Sequence, residues 1–244
     1  MEYVRIIEAI IIVAMFIWLK REKSMNISIF DVTGPIMIGP SSSHTAGAAK
    51  LARIARLIVD GEFTQVSFGL HGSFAKTGKG HGTDRALVAG ILGLTEDDEH
   101  LPLSFDFAKK AGLKYNFYVW DGDRPYENTV KMTIKMKDYT ENVIIGSSIG
   151  GGRILIQEIN GFNTEVSFDM PTVVISQQDR KGVISNVTGI LARSGLNIAS
   201  MRVSREGRGE LVCCIVEIDG IIPKHIGPAL EEVGGVLSVR IINP

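Results

Sequence analysis

The sequence is short of cysteine. Its 244 residues contain two cysteines, Cys213 and Cys214, which are adjacent and lie in the apolar run Leu211–Val216. Adjacent cysteines rarely form a structural disulfide, and two thiols cannot supply the ligands of a four-cysteine iron–sulfur cluster. Free cysteine is among the most often buried residue types. The pattern therefore predicts two reduced thiols on a buried strand, in a cytoplasmic protein.

The sequence also lacks an excess of charge of either sign. Lysine and arginine number 26, aspartate and glutamate number 27, and the formal net charge is −1. Nucleic acids and anionic membrane surfaces are recognised by concentrated positive charge. The composition therefore favours neither of them as a partner.

No apolar run has the length of a transmembrane helix. The apolar stretch Ile6–Leu19 contains Glu8 and is shorter than the roughly 20 residues that a membrane-spanning helix needs. The charge order and small-residue cleavage site of a signal peptide are also missing. We therefore expect residues 1–24 to be an extension outside the fold, with Met25 as the natural start. An interfacial membrane anchor remains the alternative.

Hydrophobic periodicity predicts an α+β fold with two domains, at residues 25–164 and 170–244, joined by a linker around Thr164–Met170. In the first domain the pattern predicts helices at Thr45–Val59 and Thr83–Leu94, and a mostly antiparallel sheet with strands at Thr64–Leu70, Tyr115–Trp120, Thr129–Lys137, Val143–Ile145 and Arg153–Ile159. In the second it predicts strands at Thr172–Ser176, Asn197–Ser204, Glu210–Glu217 and Val236–Ile242, with helices at Lys181–Ser194 and Pro223–Val233. This βαββαβ order is the ferredoxin-like arrangement.

A polar motif precedes the first helix. Ser41, Ser42, Ser43, His44 and Thr45 stand between a Gly-Pro turn and the apolar stripe of the helix, and Ser43 is the expected N-cap. The start of a helix offers unpaired N–H groups and a partial positive charge, which bind carboxylates and phosphates. The alternative is a serine-rich turn that only caps the helix.

A glycine-rich stretch, His71–Asp84, follows the first strand. The strand end delivers His71, and the glycines allow the backbone to approach a ligand closely. Lys79 and His81 add a cationic and a titratable group. Such residues at the ends of strands and helices favour a functional site.

The glycine-rich stretch does not match a nucleotide-binding P-loop. Gly72 and Gly78 are one residue too far apart, and Gly80 stands where that motif requires a magnesium-binding hydroxyl. Phosphate-loop chemistry of that type is therefore not expected.

Both stretches resemble iron–sulfur-dependent L-serine dehydratases. The run Gly-Pro-Ser-Ser-Ser-His-Thr-Ala-Gly at 39–47, and the run from His-Gly-Ser to Thr-Asp-Arg-Ala at 71–86, are similar to two blocks of that family in the same order. The resemblance covers roughly residues 25–164. It implies an allosteric-substrate-binding-like domain, similar to that of some 3-phosphoglycerate dehydrogenases, and a β-elimination that converts L-serine to pyruvate and ammonia.

The resemblance also implies roles for individual residues. His71 matches the family's catalytic histidine, while the positions implied to hold or position substrate are Ser41, Ser42, Ser43, His44, Thr45, Lys79 and His81. The family uses a [4Fe–4S] cluster as a Lewis acid. Because this chain lacks cluster cysteines, it resembles the β subunit of the two-chain type, whose cluster belongs to the α subunit. We assign no metal ligand to this chain and expect it to be inactive alone.

The second domain resembles the ACT signature in the runs Asp179–Ile184 and Gly195–Met201. That resemblance implies a dimerising, amino-acid-sensing module. Its ligand would lie near the strand–helix turn, at Asp179, Gly182, Val183 and Asn197, because an asparagine amide can both donate to and accept from an amino-acid head group. The alternative is a domain that only dimerises.

The sequence also allows a function of a different class, without catalysis. The same two domains could form a non-catalytic regulatory protein that senses an amino acid. The regulatory end of a phosphoglycerate dehydrogenase is less favoured, because no nucleotide-binding Gly-x-Gly-x-x-Gly unit is present.

Overall fold

The computed structural model describes residues 35–205, 207 and 209–244. The expected extension at 1–24 and the expected start at Met25 lie outside the described residues. Along the part of the chain that is described, no helix combines the length and apolar content needed to cross a bilayer.

A six-stranded sheet forms the centre of the first domain. Its strands are β1 (Phe63–His71), β2 (Lys114–Val119), β3 (Asn128–Met136), β4 (Glu141–Gly150), β5 (Arg153–Ile159) and β6 (Phe162–Val166), in the spatial order β2-β1-β3-β4-β5-β6. β1 and β2 are parallel, and the other neighbouring strands are antiparallel. The prediction of a mostly antiparallel sheet is therefore confirmed.

Two long helices pack tightly against each other beside this sheet. The helices of the first domain are α1 (Gly47–Val59), α2 (Gly72–Thr77), α3 (Thr83–Leu92) and α4 (Ser104–Lys110). A Cβ atom at Gly90 of α3 would lie 2.0 Å from the carbonyl oxygen of Ala49 in α1. The helices predicted at Thr45–Val59 and Thr83–Leu94 are present with shifted ends, whereas α2 and α4 were not predicted.

The second domain is a four-stranded sheet with two helices. Its elements are β7 (Thr172–Gln178), α5 (Val183–Arg193), β8 (Asn197–Arg205), β9 (Leu211–Asp219), α6 (Ile226–Glu231) and β10 (Val236–Ile242). The spatial order is β10-β7-β9-β8, and every neighbouring pair is antiparallel. This order and the βαββαβ sequence confirm the predicted ferredoxin-like fold.

The connection between the two sheets is shorter than predicted. Strand β6 pairs with β5 through Val166, so it occupies the first part of the linker expected at Thr164–Met170. Just beyond β6, the Asp169 carboxylate lies 2.8 Å from the Lys50 ammonium on α1. This ion pair ties the connecting segment to the first domain.

The two cysteines are free, buried and on β9, as predicted. Burial raises the pKa of Cys213 to about 11. Burial, and then the neighbouring thiol, raise the pKa of Cys214 to about 12. Adjacent strand residues point to opposite faces, and here Cys213 packs with the core of the first domain while Cys214 packs with the core of the second.

Candidate functional site

The sequence motifs converge at one end of the six-stranded sheet. His71, at the end of β1, pairs with Thr129 of β3, and Thr129 pairs with Ser147 of β4. The next residue, Ser148, is so close to α1 that a Cβ atom at Gly47 would lie 2.1 Å from its Oγ. The polar turn before α1 therefore docks at the sheet end that carries His71.

The first motif forms a five-residue π-helical turn, Ser42–Ala46, that leads directly into α1. The expected N-cap at Ser43 is wrong, because the Ser41 Oγ accepts the His44 N–H at 3.1 Å. The wider π turn shifts the cap two residues towards the N-terminus. The side chains of Ser42 and Ser43 are half-buried and make no hydrogen bond to another described residue.

The buried Thr45 hydroxyl links the first motif to the second. Its Oγ1 donates to the carbonyl oxygen of His81 at 2.9 Å. His81 belongs to a 3₁₀ turn, Gly78–His81, which separates α2 from α3. The predicted glycine loop is thus mostly a short helix followed by this turn, and it lies against the start of α1.

Four side chains from the two motifs form a polar group that we name the His44 cluster: His44, Ser73, Thr77 and His81. The His44 Nε2 lies 3.1 Å from the Ser73 Oγ and 3.0 Å from the Thr77 Oγ1. The His44 and His81 rings lie 4.8 Å apart between centroids. The structure therefore brings two predicted site residues together and adds two hydroxyls that the sequence reasoning missed.

Electrostatics favour a neutral His44. Burial, and then the neighbouring His81, lower the pKa of the His44 imidazole, while a hydrogen bond with the Ser73 backbone acts in the opposite direction. The His81 Nδ1 lies 3.0 Å from the Thr77 carbonyl oxygen. A carbonyl can only accept, so that nitrogen carries the proton, and the Nε2 of a neutral His81 is an acceptor.

His71 lies at the same sheet end but outside this cluster. Its Nδ1 is 3.4 Å from the Trp120 carbonyl oxygen, and its ring meets the indole edge to face with centroids 6.3 Å apart. No hydrogen bond or ring contact joins His71 to the His44 cluster among the residues described. Side chains alternate along a strand, so His71 points to the face opposite Leu70.

Gly72 explains the sharp exit from β1. It adopts φ 57°, and a Cβ atom there would lie 2.4 Å from the Glu127 carbonyl oxygen. That carbonyl accepts the N–H of Ser73 at 2.7 Å. The glycine therefore lets α2 begin directly after His71, which places Ser73 beside His44.

A buried row of polar side chains runs across the sheet behind this end. The Thr129 Oγ1 lies 2.6 Å from the Ser147 Oγ, and the Ser147 hydroxyl donates to the Gln157 Oε1 at 2.7 Å. The run Ser147–Gly152 also resembles the family in sequence, but the contacts of Ser147 with Thr129 and Gln157 were not predicted. The double serine ahead of the glycines at 150–152 was the available signal.

The other predicted residues are dispersed. Lys79 is exposed and contributes to the wall of a neighbouring cavity rather than to the His44 cluster. In the second domain, the Asp179 carboxylate accepts the Gly209 N–H at 3.1 Å and lies 3.3 Å from the Arg205 guanidinium. Gly182 is the N-cap of α5 with φ 89°, and the side chain of Val183 is buried in the core.

Asn197 does not lie near Asp179 within one chain. Asn197 pairs with Asp219 at one end of β9, whereas Arg205 pairs with Val212 at the other. With about 3.4 Å per residue along a strand, the two ends of β8 are roughly 27 Å apart. The four predicted ligand-binding residues therefore do not form a single site in one chain.

Within the described part of the chain, no group of three or more histidine, cysteine, aspartate or glutamate side chains is placed to hold a metal ion. The thiols of Cys213 and Cys214 are buried in different cores. The residues present therefore do not fit an iron–sulfur cluster.

Comparisons with known proteins agree with both resemblances. Residues 28–109 match the family model "Serine dehydratase beta chain", and residues 172–235 match the ACT domain model. The chain is 46% identical over 217 residues to the L-serine dehydratase beta chain of Peptoniphilus asaccharolyticus, covering 88% of this chain and 98% of that one. It is 39% identical over 215 residues to the probable L-serine dehydratase beta chain of Bacillus subtilis, covering 88% and 97%. It is 31% identical over 174 residues to L-serine dehydratase 1 of Escherichia coli, covering 59% of this chain and 37% of that protein.

Proposed function

The chain belongs to the L-serine dehydratase beta-chain family, and we propose that it acts with a separate α chain to convert L-serine to pyruvate and ammonia. The observation that carries the proposal is the match to nearly the whole length of two beta chains. The match to only 37% of the E. coli dehydratase supports a partner that supplies the rest of the enzyme. A cytoplasmic location fits the free cysteines.

The reaction is a β-elimination. A base removes the α-proton of L-serine, the Cα–Cβ double bond forms, and the β-hydroxyl leaves as water once it has gained a proton. The resulting enamine tautomerises to an imine, which water hydrolyses to pyruvate and ammonia. The active site must therefore supply a proton acceptor and groups that hold the carboxylate.

We assign the proton acceptor to His71. The Trp120 carbonyl can only accept a hydrogen bond, so it favours the tautomer with the proton on Nδ1. The His71 Nε2 then keeps a lone pair for the α-proton. The position of His71 at the sheet end where the two sequence motifs meet supports this assignment.

The π turn and the His44 cluster are proposed to position substrate. The hydroxyls of Ser42 and Ser43 make no hydrogen bond with other described residues, and the start of the π turn, which continues into α1, provides the positive end of a helical segment. A substrate carboxylate fits this environment. Ser41, His44 and Thr45 then act mainly by holding the turn, through the cap and through the bond to His81.

The [4Fe–4S] cluster implied by the family is assigned to the α chain. A bound cluster would supply Lewis acidity towards the departing hydroxyl. The support is the poor fit of this chain, whose two thiols are buried and have raised pKa values. No step assigned above to this chain's residues depends on the cluster.

The ACT domain is proposed to self-associate through β8, an edge strand of its sheet. Antiparallel pairing of two β8 strands about a two-fold axis places Asn197 of one copy beside Arg205 of the other. Asp179 contacts Arg205, so one site would then contain the Asp179–Val183 turn and the second copy's Asn197. In this arrangement the four predicted ligand-binding residues would lie in one site formed by two copies of the chain.

Self-association can be measured by sedimentation and ligand binding by titration calorimetry with L-serine and other amino acids. Val203→Lys adds charge to an exposed side chain of the edge strand and is expected to weaken the dimer. A monomeric parent chain at micromolar concentration would contradict the β8 interface. Absence of heat with every amino acid would favour a domain that only dimerises.

The enzyme assignment is tested by co-expression with the α chain, anaerobic purification and a pyruvate assay. His71→Ala is expected to lower kcat at least about 100-fold, the lower range for loss of a general base. The matched control is His100→Ala, because His100 is an exposed histidine paired with Asp98 away from the motifs. Full activity of His71→Ala would remove His71 from the mechanism, and clear turnover by this chain alone would overturn the two-chain proposal.

A further inference from the structure

A cavity of about 310 Å³ opens between edge strand β2 and the segment that connects β1 to α3. The side chains of Leu70, Phe74 and Phe117 give it an apolar interior, and Lys76, Lys79 and Asp84 add charged groups to its wall. Small-molecule sites have this character: an apolar pocket of roughly 300 Å³ or more with a few polar groups that orient the ligand.

The charges in the wall have opposite signs. Lys76 and Lys79 are exposed, and their ammonium groups make no ion pair or hydrogen bond with any residue that the structure describes. Asp84 lies in the first turn of α3, where one carboxylate oxygen accepts the N–H of Arg85 at 2.8 Å. Ammonium groups attract a ligand carboxylate and the aspartate attracts a ligand ammonium.

We propose that this cavity is an effector site for an α-amino acid with an apolar side chain. The ligand's carboxylate would meet Lys79 and Lys76, its ammonium would meet Asp84, and its side chain would fill the apolar interior. L-Serine does not suit this cavity, because its hydroxymethyl group would be buried among apolar side chains without a hydrogen-bond partner. The effector is thus chemically distinct from the substrate.

The cavity shares one wall with the His44 cluster. Phe74 is fully buried, lines the cavity and meets the His44 ring edge to face with centroids 5.3 Å apart. An apolar side chain in the cavity would pack against one side of Phe74 while His44 packs against the other. Occupancy therefore changes the surroundings of His44, and this contact is the route by which an effector would act.

The experiment uses the purified full chain, without the α chain, and titration calorimetry with L-leucine, L-phenylalanine and L-serine. Saturable binding of L-leucine or L-phenylalanine is expected. The change Lys79→Met, and separately Asp84→Asn, should lower that affinity about tenfold or more, the range for loss of a charged hydrogen bond. The matched control Lys224→Met removes an exposed lysine of the second domain and should leave the affinity unchanged.

A second readout separates this cavity from the ACT domain. Binding should shift the ring proton signals of His44 in an NMR titration and should persist in Asn197→Ala. Absence of binding by both apolar amino acids, or binding that survives Lys79→Met and Asp84→Asn but disappears in Asn197→Ala, would overturn the proposal. Both measurements record binding without turnover, so a failure to bind apolar amino acids is distinguishable from a failure of the proposed dehydratase activity.

Discussion

The packing of α1 against α3 can be tested with one methyl group, in the variant Gly90→Ala. The new Cβ would lie 2.0 Å from the Ala49 carbonyl oxygen and 2.9 Å from the Ala52 Cβ. A backbone carbonyl in a helix cannot rotate away, so the two helices must separate by roughly 1 Å or more to restore van der Waals distances. Overpacking typically costs about 1–3 kcal/mol, and a contact as short as 2.0 Å with a backbone atom favours the upper part of that range, about 2–3 kcal/mol. Alanine recovers about 1 kcal/mol of helix propensity.

We therefore expect Gly90→Ala to lower the free energy of unfolding by about 1–2 kcal/mol. For a chain of this size that corresponds to a fall in Tm of roughly 2–8 °C. The measurement is urea unfolding followed by circular dichroism, supported by the thermal midpoint.

Gly189→Ala in α5 is the matched control for this change. There the nearest atom to the new Cβ is a guanidinium nitrogen of Arg193 at 3.2 Å, which can move aside. The control should gain up to about 1 kcal/mol from helix propensity. If Gly90→Ala proves as stable as Gly189→Ala, close backbone packing is not what requires glycine at position 90.

Three further outcomes are expected. Burial raises the pKa of Cys213 to about 11 and of Cys214 to about 12. We therefore expect iodoacetamide at pH 8 to label both thiols only after unfolding. Rapid labelling of the native chain, detected by mass spectrometry, would contradict their burial. The pKa of His44 in the folded chain is below its ordinary value of 6.5. Just below pH 6.5 the unfolded chain therefore binds more protons than the folded chain. The free energy of unfolding should consequently fall as the pH drops from 6.5 towards the folded-state pKa. Urea unfolding at pH 7.5 and 5.5 measures this loss, and an unchanged pH dependence in His44→Gln would assign it elsewhere. Gly47→Ala should lower the free energy of unfolding, because its Cβ would lie 2.1 Å from the Ser148 Oγ. Adding Ser148→Ala should recover part of the lost stability. Simple additivity of the two changes in a double-mutant cycle would rule out the clash.

Elements with a strong alternating or helical pattern were predictable from the sequence. Strands β5 and β10 coincide with the predictions at Arg153–Ile159 and Val236–Ile242. Strand β6 was not predicted, because it has only five residues, which include the polar Asn163 and Glu165. It is defined by its pairing with β5 and not by its own hydrophobic pattern. Local propensity also cannot distinguish a π turn from the first turn of an α-helix, which is why the cap was expected at Ser43 instead of Ser41.

The candidate site was predictable in its residues but not in its pairings. His44 meets Ser73 and Thr77 across 29 and 33 residues of sequence, and only the exit of the chain after β1 at Gly72 determines that contact. In the second domain, residues that were predicted to share one ligand site are separated within one chain. Asp179 and Asn197 are close in sequence, yet the β7-α5-β8 crossover leaves them at opposite ends of the sheet, because β7 and β8 both pair antiparallel with β9.

The positions of the two cysteines bear on how chemistry is divided between this chain and a partner. A cluster needs thiolates that converge on the same irons, but Cys213 and Cys214 point to opposite faces of β9 and into different cores. Their raised pKa values also oppose formation of the thiolate. Geometry and protonation, as well as the number of cysteines, therefore disfavour a cluster on this chain. At the end of its larger sheet this chain holds a set of imidazoles and hydroxyls. These groups have the chemistry that the proposed roles in substrate binding and proton transfer require.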